Sequence, residues 1–439
     1  MKKSTILPLL AATMLLSSCS LFEQIKNIFN REDTSESDIS EDDEYDWHHE
    51  EREDVIPANA KKYTILMYVC GSTLEYDSES KRFLNYATED LQEILSVSNQ
   101  PNDVNIVIET GGSQKWSSAL NIDPNYLQRY HVADKRLVLD SNETKANMGE
   151  SQTLEDFVDW GIRTYPAEKY GLILWNHGGA VHGVCYDDNY KDAESGYWGY
   201  NALKTSEVYS AVDNALAKNN RNKLEWIGYD ACIMSYLDLA SANADIAKYM
   251  VSSQELENAG GWDYDQWLPT LYNNPSVNTV TLLSKICDTF VDQYGSYDND
   301  QTLSVLDLSK MDNFTEKFKA YAKNFEDGDF SSLKTILENS LTFGEDVYGL
   351  ADFSDFINRA KTTFSNYSTD ELIAAFNGVV VKNKYGSSYN RGTKPCGVNI
   401  FLAYSPDKQY GLQVFKSDYT DHDTKFSAWR KLNEKNGFK

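Results

Sequence analysis

The chain has 439 residues, enough for one large α/β domain or two ordinary domains. Its formal net charge of -26 leaves no basic surface that would neutralise phosphate groups, which argues against nucleic acid and against an anionic membrane surface as partners. Cationic partners are favoured instead, and the composition is that of a soluble globular protein.

The first eighteen residues have the features of an export signal. Lys2 and Lys3 form a basic start, and residues 6–16 form an apolar stretch too short to span a bilayer. The tetrapeptide LSSC, which ends at Cys19, resembles the bacterial lipobox. The resemblance implies cleavage before Cys19, lipidation of that cysteine and an exported protein held in the cell envelope by acyl chains. In a Gram-negative host this would be the outer membrane or cell surface. An ordinary cleaved secretory signal is the alternative.

An acidic segment separates this signal from the globular part. Residues 19–60 are rich in Asp and Glu and poor in apolar side chains, which predicts a disordered tether. The globular part is predicted over residues 61–439. Its core covers about residues 61–270, and about 271–439 form either a subdomain or an extension of the sheet.

The elements of the globular part predict an α/β fold with a mostly parallel sheet. Residues 63–69 and 104–110 are apolar runs without clean alternation, as expected for strands covered by helices on both faces. A hairpin is predicted over 126–141 and a helix from Ser151 to Tyr165. Further strands are predicted at 171–175, 223–229, 249–253, 302–308 and 397–404, and further helices at 204–219, from about Cys232, and at 279–294, 310–325, 352–364 and 369–377.

Two polar residues follow neighbouring predicted strands. His177 lies two residues beyond the run LILW, and Cys232 follows the run WIGYDA. Ligands of open parallel sheets bind at the carboxyl ends of the strands, so a nucleophile and its base can meet there. A helix beginning at Cys232 would favour its thiolate. Gly178 allows close backbone approach, and its N–H, with that of Cys232, is a candidate oxyanion donor.

The other cysteines and histidines offer weaker alternatives. Lipidation of Cys19 leaves an odd number of cysteines, namely Cys70, Cys185, Cys232, Cys287 and Cys396, so one thiol stays unpaired within the chain. Cys70 also ends a strand but has no nearby base and is expected in the core. A metal site of His177, His182 and Asp187 matches no common ligand spacing, so no metal is predicted.

These motifs resemble the clostripain family of cysteine peptidases, in the clan of caspases, legumain and gingipains. The resemblance is carried by LILWNHGG around His177, by WIGYDACIMS around Cys232 and by SSQELENAGGWDYDQW after it. It implies a caspase-like α/β/α sandwich with a helical C-terminal extension and a Cys232/His177 dyad that needs no third residue. It also implies cleavage after Arg or Lys, with Asp230 in the specificity pocket; capping of the following helix is the alternative role of Asp230.

One departure from the family pattern and two properties of family members bear on this interpretation. Relatives often carry Asp where this chain has Gly260, and Glu255 or Glu257 are the candidates to replace its charge. Relatives also self-cleave after the histidine, which makes the Lys191–Asp192 bond the candidate processing site of a zymogen. Some depend on calcium; no EF-hand pattern is present, so we expect no cofactor and leave calcium open.

The sequence therefore predicts a lipid-anchored cysteine endopeptidase acting on protein or peptide substrates with basic residues. Two alternatives stay open. One is a non-catalytic surface-binding lipoprotein on the same fold, and the other is a peptidase of the same clan that cleaves after Asn or acidic residues.

Overall fold

A computed structural model describes residues 50–191, 201–294, 300–325, 330–344, 349–387, 389 and 391–402. Its centre is a nine-stranded sheet with the order β13-β10-β9-β8-β7-β1-β4-β5-β6. The strands of this sheet are β1 (Lys61–Cys70), β4 (Val104–Gly111), β5 (Tyr126–Ala133), β6 (Arg136–Thr144), β7 (Ala167–Trp175), β8 (Leu224–Asp230), β9 (Ala247–Ser252), β10 (Thr302–Asp307) and β13 (Val380–Tyr385).

The middle of this sheet is parallel and its two sides are antiparallel. Strands β4, β1, β7, β8 and β9 run in one direction. The predicted hairpin is confirmed as β5 and β6, which pair antiparallel beside β4. On the other side, β10 and β13 add antiparallel strands. All the parallel strands therefore end at one edge of the sheet, which we call the carboxyl edge, and begin at the opposite amino edge.

Helices cover both faces of the sheet, which confirms the predicted α/β sandwich. They are α1 (Ser72–Glu75), α2 (Tyr86–Ser96), α3 (Ser151–Thr164), α4 (Thr205–Lys218), α5 (Leu237–Asn243), α6 (Tyr264–Asn273), α7 (Thr279–Tyr294), α8 (Met311–Ala322), α9 (Phe330–Glu338), α10 (Phe353–Thr363) and α11 (Asp370–Phe376). Successive residues of β1 enter different cores: Leu66 packs in the core with α3 and α4, and Met67 in the core with α6 and α7. This two-sided burial explains why the strands lack polar alternation.

The C-terminal part both extends the sheet and adds a small second one. Strands β10 and β13 join the central sheet, whereas β11 (Thr342–Phe343), β12 (Leu350–Asp352) and β14 (Asn399–Phe401) form a separate three-stranded sheet. A two-stranded ribbon of β2 (Tyr76–Asp77) and β3 (Arg82–Phe83) follows α1. Phe314, Phe353 and Phe376 belong to the same core as α3 and α4, so the C-terminal helices share that core.

The described end of the predicted tether is attached to the domain. Arg52 makes two contacts with Asp213 of α4, at 2.7 and 3.2 Å, and Asp54 accepts from the N–H of Asn222 at 2.9 Å. The expectation of a free tether is therefore wrong from about residue 50, because its charged side chains find partners at the amino edge. Residues 19–49 lie outside the described residues. No helix in the described ranges is long and apolar enough to cross a membrane.

Candidate active site

Strands β7 and β8 bring the two candidate catalytic loops together. They are parallel neighbours, and Trp175 pairs in register with Asp230 at their carboxyl ends. His177 and Cys232 each lie two residues beyond these paired positions. The two loops consequently leave the same edge of the sheet side by side, as the sequence predicted.

The backbones of the two loops are in direct contact at Gly178. A Cβ atom added to Gly178 would lie 2.2 Å from the carbonyl oxygen of Cys232 and 3.0 Å from its nitrogen. No side chain fits into this space, so glycine is required by close approach. Gly178 is thereby held against the backbone of the candidate nucleophile, as an oxyanion donor must be.

The hydrogen bonds around Gly178 run through its neighbours. Gly178 forms a β-bridge with Val184, and the bonds of this bridge join Cys185 N–H to the His177 carbonyl and Gly179 N–H to the Gly183 carbonyl, at 3.3 and 2.9 Å. The Gly178 N–H takes no part in those bonds. This arrangement suits a donor that must be available to a substrate.

The loop carrying Cys232 is a strained turn and not the start of a helix. Helix α5 begins at Leu237, so the predicted helix at Cys232 is wrong and its N-terminus does not face the thiol. Ile233 has a φ of 54°, a left-handed conformation that costs a β-branched residue about 1–3 kcal/mol. Its N–H donates to the Glu255 carbonyl at 3.1 Å and that of Ser235 to the Ser253 carbonyl at 2.8 Å, and these bonds hold the turn.

The Cys232 thiol is partly exposed and lies against the backbone of Glu257. The N–H of Glu257 donates to Sγ at 3.3 Å, and Sγ is 3.7 Å from the Glu257 carbonyl oxygen. Burial, reinforced by the nearby negative charge of Glu257, raises the pKa of Cys232 to about 12. The expectation of a preformed thiolate is therefore not met: in this conformation Cys232 is a neutral thiol.

His177 is held by a residue that the sequence analysis did not identify. Its Nε2 atom lies 2.9 Å from Oγ1 of Thr73, in α1 just beyond the end of β1. Burial lowers the pKa of His177 to about 4, so the imidazole is neutral at neutral pH and able to accept a proton. The available signal was that Thr73 also follows a parallel strand. Cys70, at the end of β1, is fully buried as expected.

Asp230 is the last residue of β8 and its carboxyl group is buried. Its Oδ2 atom accepts from the Trp262 N–H at 3.1 Å and from the Tyr264 hydroxyl at 2.7 Å. Burial raises the pKa of Asp230 to about 6 in spite of these donors. Its alternative role as a helix cap is excluded, since α5 begins seven residues later.

Further carboxyl groups surround Asp230. Burial raises the pKa of Asp90 and of Glu257 well above the usual range, and the negative charge of Asp230 adds to both shifts. Asp90 accepts from Trp175 Nε1 at 2.6 Å. At Gly260, an added Cβ would lie 2.6 Å from the Tyr294 hydroxyl. The carboxyl groups around Asp230 thus come from other parts of the chain, namely Asp90 and Glu257, and not from position 260.

The remaining predicted residues are only partly covered. Lys191 is exposed, whereas Asp192, on the other side of the candidate processing bond, and Cys19 lie outside the described residues. In the described ranges no group of three or more His, Cys, Asp or Glu side chains is placed to hold a metal ion. His182 and Asp187 thus form no such site with His177 there.

Comparisons with known proteins show the family of this chain. The model of the clostripain family of C11 peptidases matches residues 76–435. Clostripain from Hathewaya histolytica is 22% identical over 236 residues, which is 47% of this chain and 42% of that protein, so the match spans less than half of the relative's length.

Two solved structures share the fold. An inactive zymogen C11 protease from Parabacteroides distasonis has a TM-score of 0.59 at 19% identity, covering 85% of this chain and 99% of the other. A secreted C11 cysteine protease from Bacteroides thetaiotaomicron, in complex with an irreversible peptide inhibitor, has a TM-score of 0.58 at 16% identity, covering 84% and 98%.

Proposed function

Because the chain belongs to the clostripain family, we propose that it is an exported, lipid-anchored cysteine endopeptidase with Cys232 as nucleophile and His177 as general base. The observation that carries this proposal is the contact of Gly178 with the Cys232 backbone, which brings the histidine and cysteine loops together at the carboxyl edge. Both residues are half-buried.

The chemistry follows from the protonation states of the two residues. The neutral imidazole of His177 accepts the proton of the Cys232 thiol as sulfur attacks the scissile carbonyl. The N–H groups of Gly178 and Cys232 hold the oxyanion, and the imidazolium then protonates the leaving amine. Water, deprotonated by His177, hydrolyses the thioester and regenerates the thiol.

The dyad of the resting site is neutral. A pKa of about 12 for Cys232 and of about 4 for His177 place the proton firmly on sulfur. We propose that cleavage of the Lys191–Asp192 bond precedes full activity. The exposure of Lys191 supports this proposal, and so does its position as the only Lys or Arg between Gly178 and Leu203.

Asp230 is the proposed determinant of cleavage after Arg or Lys. Asp230 is 4% exposed and lies two residues before the nucleophile. A buried carboxylate whose donors are an N–H and a hydroxyl still favours a cationic partner, because charge-assisted hydrogen bonds are stronger than neutral ones.

The proposed acyl anchor at Cys19 would leave the active site facing away from the membrane. The segment that leads from the anchor meets the domain at the amino edge, where Val55 N–H donates to the Asn220 carbonyl at 2.9 Å. Cys232 lies beyond the opposite end of β8, a seven-residue strand about 20 Å long. Substrates therefore approach from the side opposite to the tether.

The decisive experiment is a peptide panel. The full chain is assayed on fluorogenic peptides that end in Arg, Lys, Asn or Asp, beside Cys232→Ala and, as matched control, Cys396→Ala, the other partly exposed free cysteine of the described residues. We expect cleavage after Arg and Lys, a loss of about 10³-fold or more in Cys232→Ala, and no loss in Cys396→Ala.

The other outcomes identify the alternatives. Cleavage after Asn or Asp alone would show that this chain is the alternative peptidase of the clan, which cleaves after Asn or acidic residues. Asp230 would then not have its proposed role in binding Arg or Lys. No cleavage of any peptide, together with a Cys232 thiol inert to iodoacetamide after Lys191 is cut, would establish the non-catalytic binding protein.

A further inference from the structure

Tyr236 is a fully buried residue at the end of the nucleophile turn, and the mechanism gives it no role. It lies four residues after Cys232 and directly before helix α5. Its hydroxyl group is 3.2 Å from the carbonyl oxygen of Ala180 and 2.7 Å from Oγ1 of Thr205. The hydroxyl of a buried tyrosine needs hydrogen-bond partners, and here two of them belong to other segments of the chain.

The direction of these hydrogen bonds follows from the chemistry of the three groups. The carbonyl oxygen of Ala180 can only accept, so the Tyr236 hydroxyl donates its one proton to it. The Thr205 hydroxyl is then the donor to the Tyr236 oxygen. The two bonds form a short chain in which each polarises and strengthens the other.

Ala180 belongs to the loop of the candidate base. It lies three residues after His177 and has a φ of 53°, a left-handed conformation that alanine rarely adopts. Its carbonyl oxygen also accepts from the Gly183 N–H at 3.1 Å. One donor from within the histidine loop and one from the nucleophile turn thus hold this strained residue in place.

The backbone of Tyr236 is fixed independently of this contact. Asn399 of β14 forms a β-bridge with Tyr236, and the Asn399 N–H donates to the Ser235 carbonyl at 2.8 Å. The Ser235 N–H donates in turn to the Ser253 carbonyl, also at 2.8 Å. The ring of Tyr236 therefore extends from a fixed backbone, and its hydroxyl group can orient the histidine loop.

We propose that Tyr236 is a positioning residue of this peptidase, whose hydroxyl group holds the His177 loop in the place that proton transfer from Cys232 requires. The inference rests on the proposed function and adds a residue to its machinery. The contact at Gly178 limits how closely the two loops approach, and the Tyr236 hydrogen bond prevents them from moving apart. A displacement of about 1 Å at a reacting group can lower a rate about 100-fold, so this bond is expected to affect turnover.

The test removes the hydroxyl group and keeps the ring. The full chain is assayed as wild type, as Tyr236→Phe and as the matched control Tyr170→Phe, on the peptide of the panel that the wild type cleaves best. Tyr170 is buried in the same core near the start of β7, and its hydroxyl group also has a donor and an acceptor, the Ala167 N–H at 2.8 Å and the Ile162 carbonyl at 3.3 Å. We expect kcat to fall about 10-fold in Tyr236→Phe with KM nearly unchanged, and to stay within about 2-fold in Tyr170→Phe.

Unfolding in urea separates positioning from stability. With Cys232→Ala added to prevent self-cleavage, the urea midpoint should fall by a similar amount in Tyr236→Phe and Tyr170→Phe, because each loses a buried hydroxyl group with two partners. A purely structural role would change kcat equally in the two variants. Only a positioning role lowers kcat in Tyr236→Phe alone.

Thr205 supplies a second pair of variants that leaves the tyrosine in place. Thr205→Val removes the donor to the Tyr236 hydroxyl and should lower kcat about 3-fold, whereas Thr205→Ser retains the donor and should keep most of kcat. Combining Thr205→Val with Tyr236→Phe should add little to the loss in Tyr236→Phe, because both changes act through the same hydroxyl group. This pair decides the question if Tyr236→Phe fails to fold.

The outcomes that contradict the proposal are specific. An unchanged kcat in Tyr236→Phe, an equal fall in Tyr170→Phe, or equal losses in Thr205→Val and Thr205→Ser would overturn it. A wild-type chain that cleaves no peptide of the panel would instead contradict the proposed function, so the two failures are distinguishable.

Discussion

Carboxyl groups at the two edges of the central sheet have pKa values shifted in opposite directions. At the amino edge, Glu225 contacts Lys169 at 2.8 Å and Lys248 at 3.1 Å, and these contacts lower its pKa although burial opposes them. At the carboxyl edge, burial raises the pKa of Asp230 to about 6 and of Asp188 to about 7. The amino edge is built for stability, whereas the carboxyl edge keeps charge that is costly without a ligand.

The same contrast extends to the backbone. The amino edge holds residues 52–55 through ordinary ion pairs and hydrogen bonds. The carboxyl edge contains Ile233 and Ala180 with φ values of 54° and 53°, in the loops of the candidate nucleophile and base. Left-handed residues also occur in turns of the amino edge, such as Lys135 with a φ of 60°, but the β-branched Ile233 lies beside the candidate nucleophile. Strain at a β-branched residue and uncompensated charge therefore coincide near the candidate site, which is the expected pattern for a functional site.

The largest effect on this contrast is expected from Asp188→Asn. Both oxygens of Asp188 are buried without a hydrogen-bond partner among the described residues, and burial raises the pKa of this carboxyl group to about 7. The folded state therefore binds the proton more tightly than the unfolded state, so the penalty grows as the pH rises from the ordinary pKa of an aspartate toward 7 and is nearly constant above 7. At pH 8 the asparagine variant should be more stable by about 2 kcal/mol, with a much smaller gain at pH 5.

Urea unfolding at the two pH values measures this difference, with Cys232→Ala in both chains to prevent self-cleavage. Asp213→Asn is the matched control, since Asp213 is paired with Arg52 at the amino edge. This control should lose stability at both pH values. A loss of stability in Asp188→Asn at pH 8 would show that the Asp188 carboxylate stabilises the fold, which would contradict the proposed difference between the edges.

Thr73→Val tests whether the carboxyl edge positions its base through the hydroxyl group 2.9 Å from His177 Nε2. Valine keeps the shape and removes the hydrogen bond, so the imidazole loses its preferred orientation. We expect kcat to fall about 10-fold with KM nearly unchanged. Thr73→Ser retains the hydroxyl and should restore most of kcat. Equal losses in both variants would reduce Thr73 to a packing residue.

Much of the fold, and the edge of the sheet at which the candidate site lies, could be predicted from the sequence. The apolar runs of β1, β4 and β8 predicted buried parallel strands, and the polar residues after β7 and β8 predicted one shared edge. Both inferences depend on chain-local patterns and on the geometry of parallel sheets. The fold and the identity of the two central side chains were therefore accessible without coordinates.

The contacts of His177 and Cys232 could not be predicted from the sequence. Thr73 reaches His177 from a distant position in the chain, and this contact depends on the tertiary fold. Glu257 was a candidate for its charge, but the contact of its backbone with the Cys232 thiol was not predicted. The helix predicted at Cys232 fails because the β8 strand continues into a turn held by the backbone of residues 253–255, which no local propensity encodes. The expected thiolate fails with it, since no helix terminus offsets the burial of the thiol.

The smallest expected effect concerns the attachment of the tether. Arg52→Ala removes a two-contact pair with Asp213, whose side chains are 18% and 14% exposed, and should cost about 1 kcal/mol of unfolding free energy. Lys62→Ala is the matched control, because its pair with Glu168 is 44% and 43% exposed and should contribute less to stability than the Arg52 pair.

Neither change should alter kcat/KM, since both pairs lie at the edge opposite to Cys232. Urea unfolding and an Arg-peptide assay on the same preparations measure the two quantities. A loss of activity in Arg52→Ala that exceeds its loss of folded protein would show that the tether acts on the site through the sheet. The amino edge would then contribute to catalysis as well as to stability. The conclusion that the amino edge only stabilises the fold, while the carboxyl edge holds the site, would be wrong.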